Sequence, residues 1–154
     1  MVDHPVSGVD LPVTFFSFAG MDLPWRMDGH DLSPLLRNPE ADWDHPAMMV
    51  ATSTSYGSDT DTIPEVGDPR LYWGPGVPWY VILAQGRYKY IRTLVEGETD
   101  ELYDLTEDPD EIHNLVGDPA YEDIVNQYRE AMIKELKRTG ARFADRLPAL
   151  KEDL

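Results

Sequence analysis

Apolar positions at the start of the chain predict two short helices. Residues 9–20, VDLPVTFFSFAG, predict a helix that Asp10 caps and that Gly20 ends in a left-handed conformation. Residues 31–37, DLSPLLR, predict a second helical turn with Asp31 as its cap. The first helix carries Leu11, Phe15, Phe16 and Phe18, and in the second turn Leu32, Leu35 and Leu36 are expected to face inward.

The middle of the chain has the pattern of β-strands separated by turns. Residues 46–52, PAMMVAT, predict a buried strand, and residues 53–78 form a long stretch interrupted by glycine and proline. Residues 79–94, WYVILAQGRYKYIRTL, predict an antiparallel hairpin that turns at Gln85-Gly86. Residues 97–105 supply a turn and a third strand of the same sheet.

A long amphipathic helix is the strongest pattern in the sequence. Asp118 and Pro119 mark its start, and Gly140 ends it after three basic residues that complement the negative end of the helix dipole. Its apolar positions recur at helical spacing: Tyr121, Ile124, Val125, Tyr128, Met132 and Leu136. The chain is thus predicted to be α+β, with a small antiparallel sheet packed by this helix and with residues 141–154 as a loosely attached tail.

Composition narrows the classes of function. The 154 residues carry 29 Asp and Glu against 13 Lys and Arg, a formal net charge of -16, which opposes binding to nucleic acid or an anionic membrane. The chain has no cysteine, so disulfides, cysteine-ligated metals and a thiol nucleophile are excluded. It contains no apolar run long enough to span a membrane and no targeting signal, so the compartment stays undetermined.

The most acidic stretch is residues 101–115, ELYDLTEDPDEIHNL, which has six carboxylates among fifteen residues. A calcium loop of the EF-hand type needs a glycine at its sixth position, and no start at Asp104, Asp108 or Asp110 provides one. A turn at Asp108-Pro109 with inward leucines explains the same residues without a ligand. The acids are therefore predicted to be structural.

Four blocks, taken in order, resemble the C-terminal portion of the sulfatase family within the alkaline-phosphatase-like superfamily. Residues 6–24, VSGVDLPVTFFSFAGMDLP, resemble its "vDl-PT-ld-AG---P" segment, and MDGHDLSPLL, 27–36, resembles its "-dG-SL-P-L" block. Residues 87–94, RYKYIRTL, together with 101–115 resemble its late "KYI…ELYDL--DP-E--NL" block. This resemblance covers roughly residues 6–137 and implies a sulfuric ester hydrolase.

The residues on which the family's catalysis depends have no counterpart here. The family's nucleophile is a formylglycine made within a C/S-x-P-S/A-x-R motif and ligated to calcium, and this sequence contains neither that motif nor the ligands. Asp28, His30 and Asp31 imitate a metal site but fit the "dG-SL" block. We therefore expect no catalytic residue, no metal site and no activity in this chain alone.

The resemblance also implies a division into parts. Residues 1–45 would be the end of the family's large domain, residues 46–140 its C-terminal subdomain, and residues 141–154 a tail. The expected partner is the missing N-terminal catalytic domain, or a second copy through residues 6–36, with a sulfated carbohydrate as the possible substrate. The alternative is a free-standing acidic binding domain derived from this subdomain.

Candidate substrate-cleft residues lie in and beside the long loop. They are Tyr56, Arg70, Trp73 and Trp79, because aromatic rings stack on sugars and arginine suits anionic groups. The competing interpretation is that the tryptophans pack at the rim and Arg70 is solvated. His45 and His113 are expected to make structural hydrogen bonds, and Lys89 and Arg92 to form a charged outer face.

Overall fold

Three α-helices and six β-strands follow one another along residues 3–52, 62–73 and 76–151, the parts that the structure, a computed structural model, describes. They are α1 Asp10–Ala19, α2 Ser33–Arg37, β1 Ala47–Ala51, β2 Tyr72–Trp73, β3 Val77–Pro78, β4 Tyr80–Gln85, β5 Tyr88–Thr93, β6 Glu101–Asp104 and α3 Glu122–Thr139. The fold is α+β, as predicted.

The central element is a four-stranded antiparallel sheet with strand order β1-β4-β5-β6. Leu83, Tyr90 and Leu102 lie opposite one another across β4, β5 and β6, and all three are buried. Alternate residues point to the same face of a strand, so this register places one continuous apolar row beneath α3. β2 and β3 form a separate two-stranded ribbon.

Helix α3 covers that face of the sheet and completes the main core. Its buried apolar side chains are Val125, Tyr128, Met132 and Leu136, which lie at helical spacing on one stripe. A short 3-10 turn, Pro119–Tyr121, precedes α3, and the Asp118 carboxylate accepts the Ala120 N–H at 2.9 Å. Gly140 ends the helix in the left-handed conformation. Both predicted ends are therefore confirmed within a few residues.

Several local predictions need correction. β1 is a strand, but it lies at the edge of the sheet, so Met49 and Val50 are exposed rather than buried. Leu36 is exposed, because α2 is a single five-residue turn that presents only one side to the protein. The hairpin turns at Gly86-Arg87, since Gln85 still pairs with Tyr88 across the two strands.

Arg92 does not belong to a charged outer face. Lys89 and Arg92 are an odd number of positions apart, so the pleat sends their side chains to opposite faces of the sheet. Arg92 is 8% exposed on the same face as Tyr90, and its guanidinium donates to the Pro148 carbonyl at 2.6 Å. Lys89 is bonded to Glu111.

The C-terminal residues are packed rather than loosely attached. Phe143 is 1% exposed and joins the main core, and Ala144 and Leu150 are also buried. The Gly97 N–H donates to the Ala149 carbonyl at 3.1 Å, which fixes this segment to the β5–β6 loop. The prediction failed because isolated apolar residues among charged ones show no periodicity.

A second, smaller core lies outside the sheet. Leu32, Leu35 and Trp43 are buried together, with Ala41 partly buried against them. This cluster belongs to residues 32–43, before β1, and is separate from the core beneath α3.

Candidate functional site

Helix α1 presents its apolar residues to solvent. Leu11, Phe15 and Phe18 lie three and four positions apart, which places them on one stripe, and Phe15 is 65% exposed. The buried residues of the same helix are Asp10 and Thr14, both polar. Other exposed apolar residues of the N-terminal region are Val6, Val9, Met21, Leu23, Trp25 and Leu36. Exposed apolar side chains of this kind make the outer stripe of α1 the candidate interaction surface of the described residues.

The polar stripe of α1 holds the helix in place. The Asp10 carboxylate accepts the N–H of Ser7 at 2.7 Å and of His30 at 2.8 Å, so it bridges neighbouring segments instead of capping α1 as predicted. The Thr14 hydroxyl donates to the Asp10 carbonyl and accepts the Leu32 N–H at 2.9 Å. The orientation that exposes the phenylalanines is therefore fixed by buried hydrogen bonds.

Two further contacts secure the segment that follows α1. The Ser17 hydroxyl donates to Asp31 at 2.6 Å, and the other oxygen of Asp31 accepts the Ser33 N–H at 2.9 Å. These bonds to Ser17 and Ser33 lower the pKa of the Asp31 carboxyl, because they stabilise its charged form. At Gly29 a Cβ atom would lie 2.0 Å from the Val9 carbonyl oxygen, so only glycine fits.

A groove of about 250 Å³ separates the N-terminal region from the C-terminal end of α3. Arg138 pairs with Glu135 at 2.7 Å and donates to the Asp28 carbonyl at 2.7 Å, and Arg26 donates in turn to the Arg138 carbonyl. The bond with Glu135 raises the pKa of Arg138. Arg138 of α3 thus donates to the backbone of the N-terminal region, and Arg26 of the N-terminal region donates to the backbone of α3.

Two imidazoles lie beside this groove. The rings of His30 and His45 stack with centroids 4.1 Å apart, and Trp43 meets both rings edge-on. Burial, followed by the neighbouring His45 and Arg138, lowers the pKa of His30 below its usual value of 6.5, while Asp10 and Glu135 oppose that shift. The ring of His45 is thus packed against two other rings, and its predicted structural hydrogen bond stays a prediction.

Several acids of residues 101–115 make the structural contacts that the sequence predicts. Asp104 pairs with Arg87 and also accepts the Thr106 N–H, contacts that lower its pKa. The Asp108 carboxylate accepts the His113 N–H at 2.8 Å, and Glu111 bonds Lys89. Residues 3–52, 62–73 and 76–151 contain no group of three His, Asp or Glu residues that could hold a metal ion. The described residues therefore do not fit a calcium site.

Comparison with known proteins indicates which family the chain resembles. The profile of the family described as N-sulphoglucosamine sulphohydrolase, C-terminal, matches residues 77–138, which run from β3 to the end of α3. A Delta 4,5-hexuronate-2-O-sulfatase of Bacteroides thetaiotaomicron is 31% identical over 140 residues, which are 90% of this chain. The chain thus matches the C-terminal portion of the sulfatase family.

Solved structures agree on the fold. A 2-O GAG sulfatase covers 88% of this chain with a TM-score of 0.62 at 24% identity, and the chain covers 26% of that structure. A phosphonate monoester hydrolase from Silicibacter pomeroyi covers 90% with a TM-score of 0.60 at 21% identity, and again 26% of it is covered. The chain likewise spans only 25% of the length of the hexuronate sulfatase.

Of the four predicted cleft residues, the structure describes the side chains of two, Arg70 and Trp79. Tyr56 lies outside the described residues, as does the side chain of Trp73, whose backbone forms β2. Arg70 is exposed and bonded to Asp68, with 2.9 Å between its Nε and the nearer carboxylate oxygen. Trp79 is 5% exposed within the main core. The four assignments remain predictions.

The inverted polarity of α1 is the feature that sequence reasoning missed. Asp10, Thr14 and Ser17 lie at helical spacing on one stripe, and Leu11, Phe15 and Phe18 lie on a second stripe roughly 100° around the helix axis, which is a readable signal of two faces. The pattern alone does not say which face is buried. The described part of the chain has no helix that is both long and apolar enough to cross a membrane.

Proposed function

We propose that this chain is the C-terminal portion of a sulfatase-like hydrolase of sulfate esters, where it packs against the catalytic domain and shapes the substrate cleft. The observation that carries the proposal is the exposed stripe of Leu11, Phe15 and Phe18 on a helix whose buried residues are polar. Burying each such side chain contributes roughly 1.5–3 kcal/mol, so a partner surface would stabilise this arrangement.

The partner in this proposal is the domain that carries the nucleophile and the metal ligands. The chain spans a quarter of its relatives' length and lacks the C/S-x-P-S/A-x-R motif, so catalysis would come from residues outside it. The apolar stripe supplies the docking surface. In the absence of such a domain, the same surface, within residues 6–36, would pair two copies of the chain.

The two separate cores support a division near residues 45 and 46. Residues 1–45, with the cluster of Leu32, Leu35 and Trp43, would complete the large domain. Residues 46–140, with the core beneath α3, would form the C-terminal subdomain. Because Phe143 belongs to that core, we extend the subdomain to include residues 141–151.

A sulfated carbohydrate is the substrate class that we favour. One relative is named a hexuronate sulfatase and one similar structure a GAG sulfatase, while another is a phosphonate monoester hydrolase. Within the described residues, Arg70 is the cleft candidate with an accessible charge, and its pair with Asp68 would have to exchange for an anionic group. Trp79, being buried, would support the cleft through packing.

The experiment compares one substitution in two contexts. In the isolated chain, at a concentration where light scattering shows a monomer, Phe15→Ser should leave the urea midpoint unchanged because the ring is exposed. Ile112→Ser, at an exposed position on the acidic turn, is the matched control. DNA upstream of Met1 is read for an open frame that carries the nucleophile motif, and the longer protein is expressed. There, Phe15→Ser should lower stability and aryl sulfate turnover, whereas Ile112→Ser should change neither.

Two results would refute the proposal. One is the absence of an upstream open frame together with a dimer of the isolated chain in light scattering, which would favour the free-standing binding domain. The other is an equal response of the longer protein to both substitutions. Chelator-sensitive aryl sulfate hydrolysis by the isolated chain would contradict the assignment of catalysis to another domain.

A further inference from the structure

The two edges of the four-stranded sheet differ in how they end. At β6 the Asn114 side chain accepts the Leu102 N–H at 3.0 Å, and the Leu115 N–H donates to the Leu102 carbonyl at 2.9 Å, so the chain itself closes that edge. β1 is the other edge, and β4 is its one strand neighbour within the described residues. β1 carries neither a charge nor a proline, the features that usually protect a free edge.

The hairpin turn fixes the direction of the hydrogen bonds throughout the sheet. Gln85 and Tyr88 flank a two-residue turn, so they form a hydrogen-bonded pair, and such pairs recur at alternate positions along two antiparallel strands. The same alternation continues into the neighbouring strands. It requires that the backbone of Leu102 face away from β5, and the bonds of Leu102 to residues 114 and 115 agree.

Applied to β1, this alternation shows which backbone groups face the free edge. Ile82 lies between the hydrogen-bonded positions of β4 and β5, so its N–H and C=O point toward β1, where it pairs with Met49. The N–H and C=O groups of Met48 and Val50 therefore point away from β4. They have no hydrogen-bond partner within residues 3–52, 62–73 and 76–151.

The groove of about 250 Å³ lies beside this free edge. Met48 and Val50 line one side of it, and Val9 and the C-terminal end of α3 line the others. Met48 and Val50 pair with core residues of β4, so their side chains lie on the face of the sheet that α3 covers. A strand added to β1 would place alternate side chains on that face, and the groove would receive them.

The acids that line the groove favour a cationic side chain. Asp10 accepts two backbone N–H groups and Glu135 is paired with Arg138, so both have partners. Asp28 differ in this respect: its Oδ1 is shielded from solvent but accepts no hydrogen bond from the described residues, and the nearby Arg26, at 3.3 Å, is 73% exposed. A shielded acceptor without a donor is unfavourable, and a guanidinium is a donor that suits a carboxylate.

We propose that the free edge of β1 binds an extended segment of the catalytic domain, which adds to the sheet as a fifth strand and places a basic side chain beside Asp28. This inference rests on the proposed function and names the contact by which the two parts join. A second copy of the chain fits less well, because β1 has no basic residue and each copy carries a formal net charge of -16. Val9 lines the groove and directly precedes α1, so one domain can contact both the edge and the apolar stripe.

Amide hydrogen exchange tests the edge in the unmodified protein. In the isolated chain, the amides of Met48 and Val50 should exchange about tenfold faster than that of Met49, after correction for intrinsic rates, because only the Met49 N–H is bonded to β4. In the longer protein all three amides should be protected. Equal protection of the three in the isolated chain, or continued fast exchange of Met48 and Val50 in the longer protein, would overturn the proposal.

A peptide tests the chemistry of the occupant on the isolated chain. At about 150 mM NaCl, the peptide Thr-Val-Arg-Val-Arg-Val-Thr should shift the β1 amide signals in NMR spectra. It should bind about tenfold more tightly than Thr-Val-Gln-Val-Gln-Val-Thr, and Asp28→Asn should remove that difference, because both changes delete the same charged hydrogen bond. Absence of β1 shifts with the arginine peptide at millimolar concentration would overturn the proposal.

A proline substitution separates strand addition from general attraction to an acidic protein. Val50→Pro removes an N–H that faces the free edge and keeps the net charge, so it should weaken binding of the arginine peptide at least about tenfold and leave the urea midpoint nearly unchanged. Met49→Pro is the matched control: it removes an N–H bonded to β4 and should lower the midpoint clearly. Peptide binding that Val50→Pro leaves unchanged would show electrostatic attraction only and overturn the proposal.

The longer protein distinguishes this inference from the proposed function. Val50→Pro should lower its stability, as Phe15→Ser should. If Phe15→Ser lowers stability and Val50→Pro does not, the domains dock through the apolar stripe alone and the edge strand is wrong. If neither acts, the proposed function itself is wrong. A dimer of the isolated chain that Val50→Pro dissociates would assign the edge to a second copy and overturn the proposed occupant.

Discussion

At the scale of single residues, Gly29 shows how a close backbone contact fixes the candidate docking surface. An added methyl group would lie 2.0 Å from the Val9 carbonyl oxygen and 2.6 Å from its carbon, so the backbone would have to move. We expect Gly29→Ala to destabilise the chain by about 1–3 kcal/mol, as for other overpacked sites. Urea unfolding and exchange protection of α1 measure the global and local parts of the loss.

Gly8 provides the matched control for Gly29. A Cβ atom at Gly8 has no heavy atom within 4 Å, so Gly8→Ala should change the free energy of unfolding by less than about 0.5 kcal/mol. If both variants keep the urea midpoint and the α1 protection of the unmodified chain, that result would contradict the close contact between the backbones of Gly29 and Val9.

At the scale of elements, one buried carboxylate joins α3 to the sheet. Asp100 is 2% exposed and accepts two bonds from Arg129 of α3, at 2.8 and 3.1 Å, and one from the Tyr90 hydroxyl of β5 at 2.6 Å. Asp100→Ala should cost about 3–5 kcal/mol, because it removes one partner from a buried ion pair. The urea midpoint and its slope are the measurement.

An exposed ion pair of the same helix serves as the comparison for Asp100. Lys137 and Asp145 lie 2.6 Å apart with both side chains at least half exposed. Asp145→Ala should cost no more than about 1 kcal/mol, since solvent screens exposed pairs. Equal effects of the two substitutions would mean that the Asp100 contacts add little to the docking of α3.

Three tyrosines, on β5, β6 and α3, make the free energy of unfolding depend on pH in the alkaline range. Burial raises the pKa of Tyr103 and of Tyr128 to about 12, and it raises the pKa of Tyr90 as well. The unfolded chain loses these protons near pH 10, before the folded chain does, so stability is complete below pH 10 and declines above it. Urea midpoints should fall between pH 9 and pH 11, and the decline should be smaller in Tyr128→Phe. Midpoints that stay constant over this range would contradict the burial of these hydroxyls.

At the scale of the whole molecule, excess negative charge opposes folding. With a formal net charge of -16, repulsion among carboxylates destabilises the compact state at neutral pH. Raising NaCl from about 10 to about 200 mM shortens the screening length and should raise the melting temperature. Calcium and magnesium chlorides at equal ionic strength should act alike, because the described residues form no metal site. A rise of several degrees that is specific to calcium would contradict this.

The sequence by itself determined the elements and their class. Periodicity predicted α3, the hairpin and β6, because each has a buried stripe whose spacing matches its backbone geometry. The ordered blocks indicated the C-terminal portion of the sulfatase family, which the comparisons match. The absence of the nucleophile motif led to the expectation that catalysis lies outside this chain, and that expectation stays a prediction. Turn chemistry also predicted that the acids of residues 101–115 are structural, since each bond there is local or made to the adjacent strand.

Only the tertiary structure decided which face of α1 is exposed, where Arg92 lies and what meets at the groove. Helical spacing defines two faces of α1 but does not show which face is buried. In the structure Asp10 and Thr14 are buried and hydrogen-bonded, whereas Phe15 is exposed. The same limit hid the contact of His30 with His45 and the bond of Arg138 to residue 28, which join positions far apart in sequence. Such contacts depend on how the elements pack against one another, and the local sequence pattern does not predict that packing.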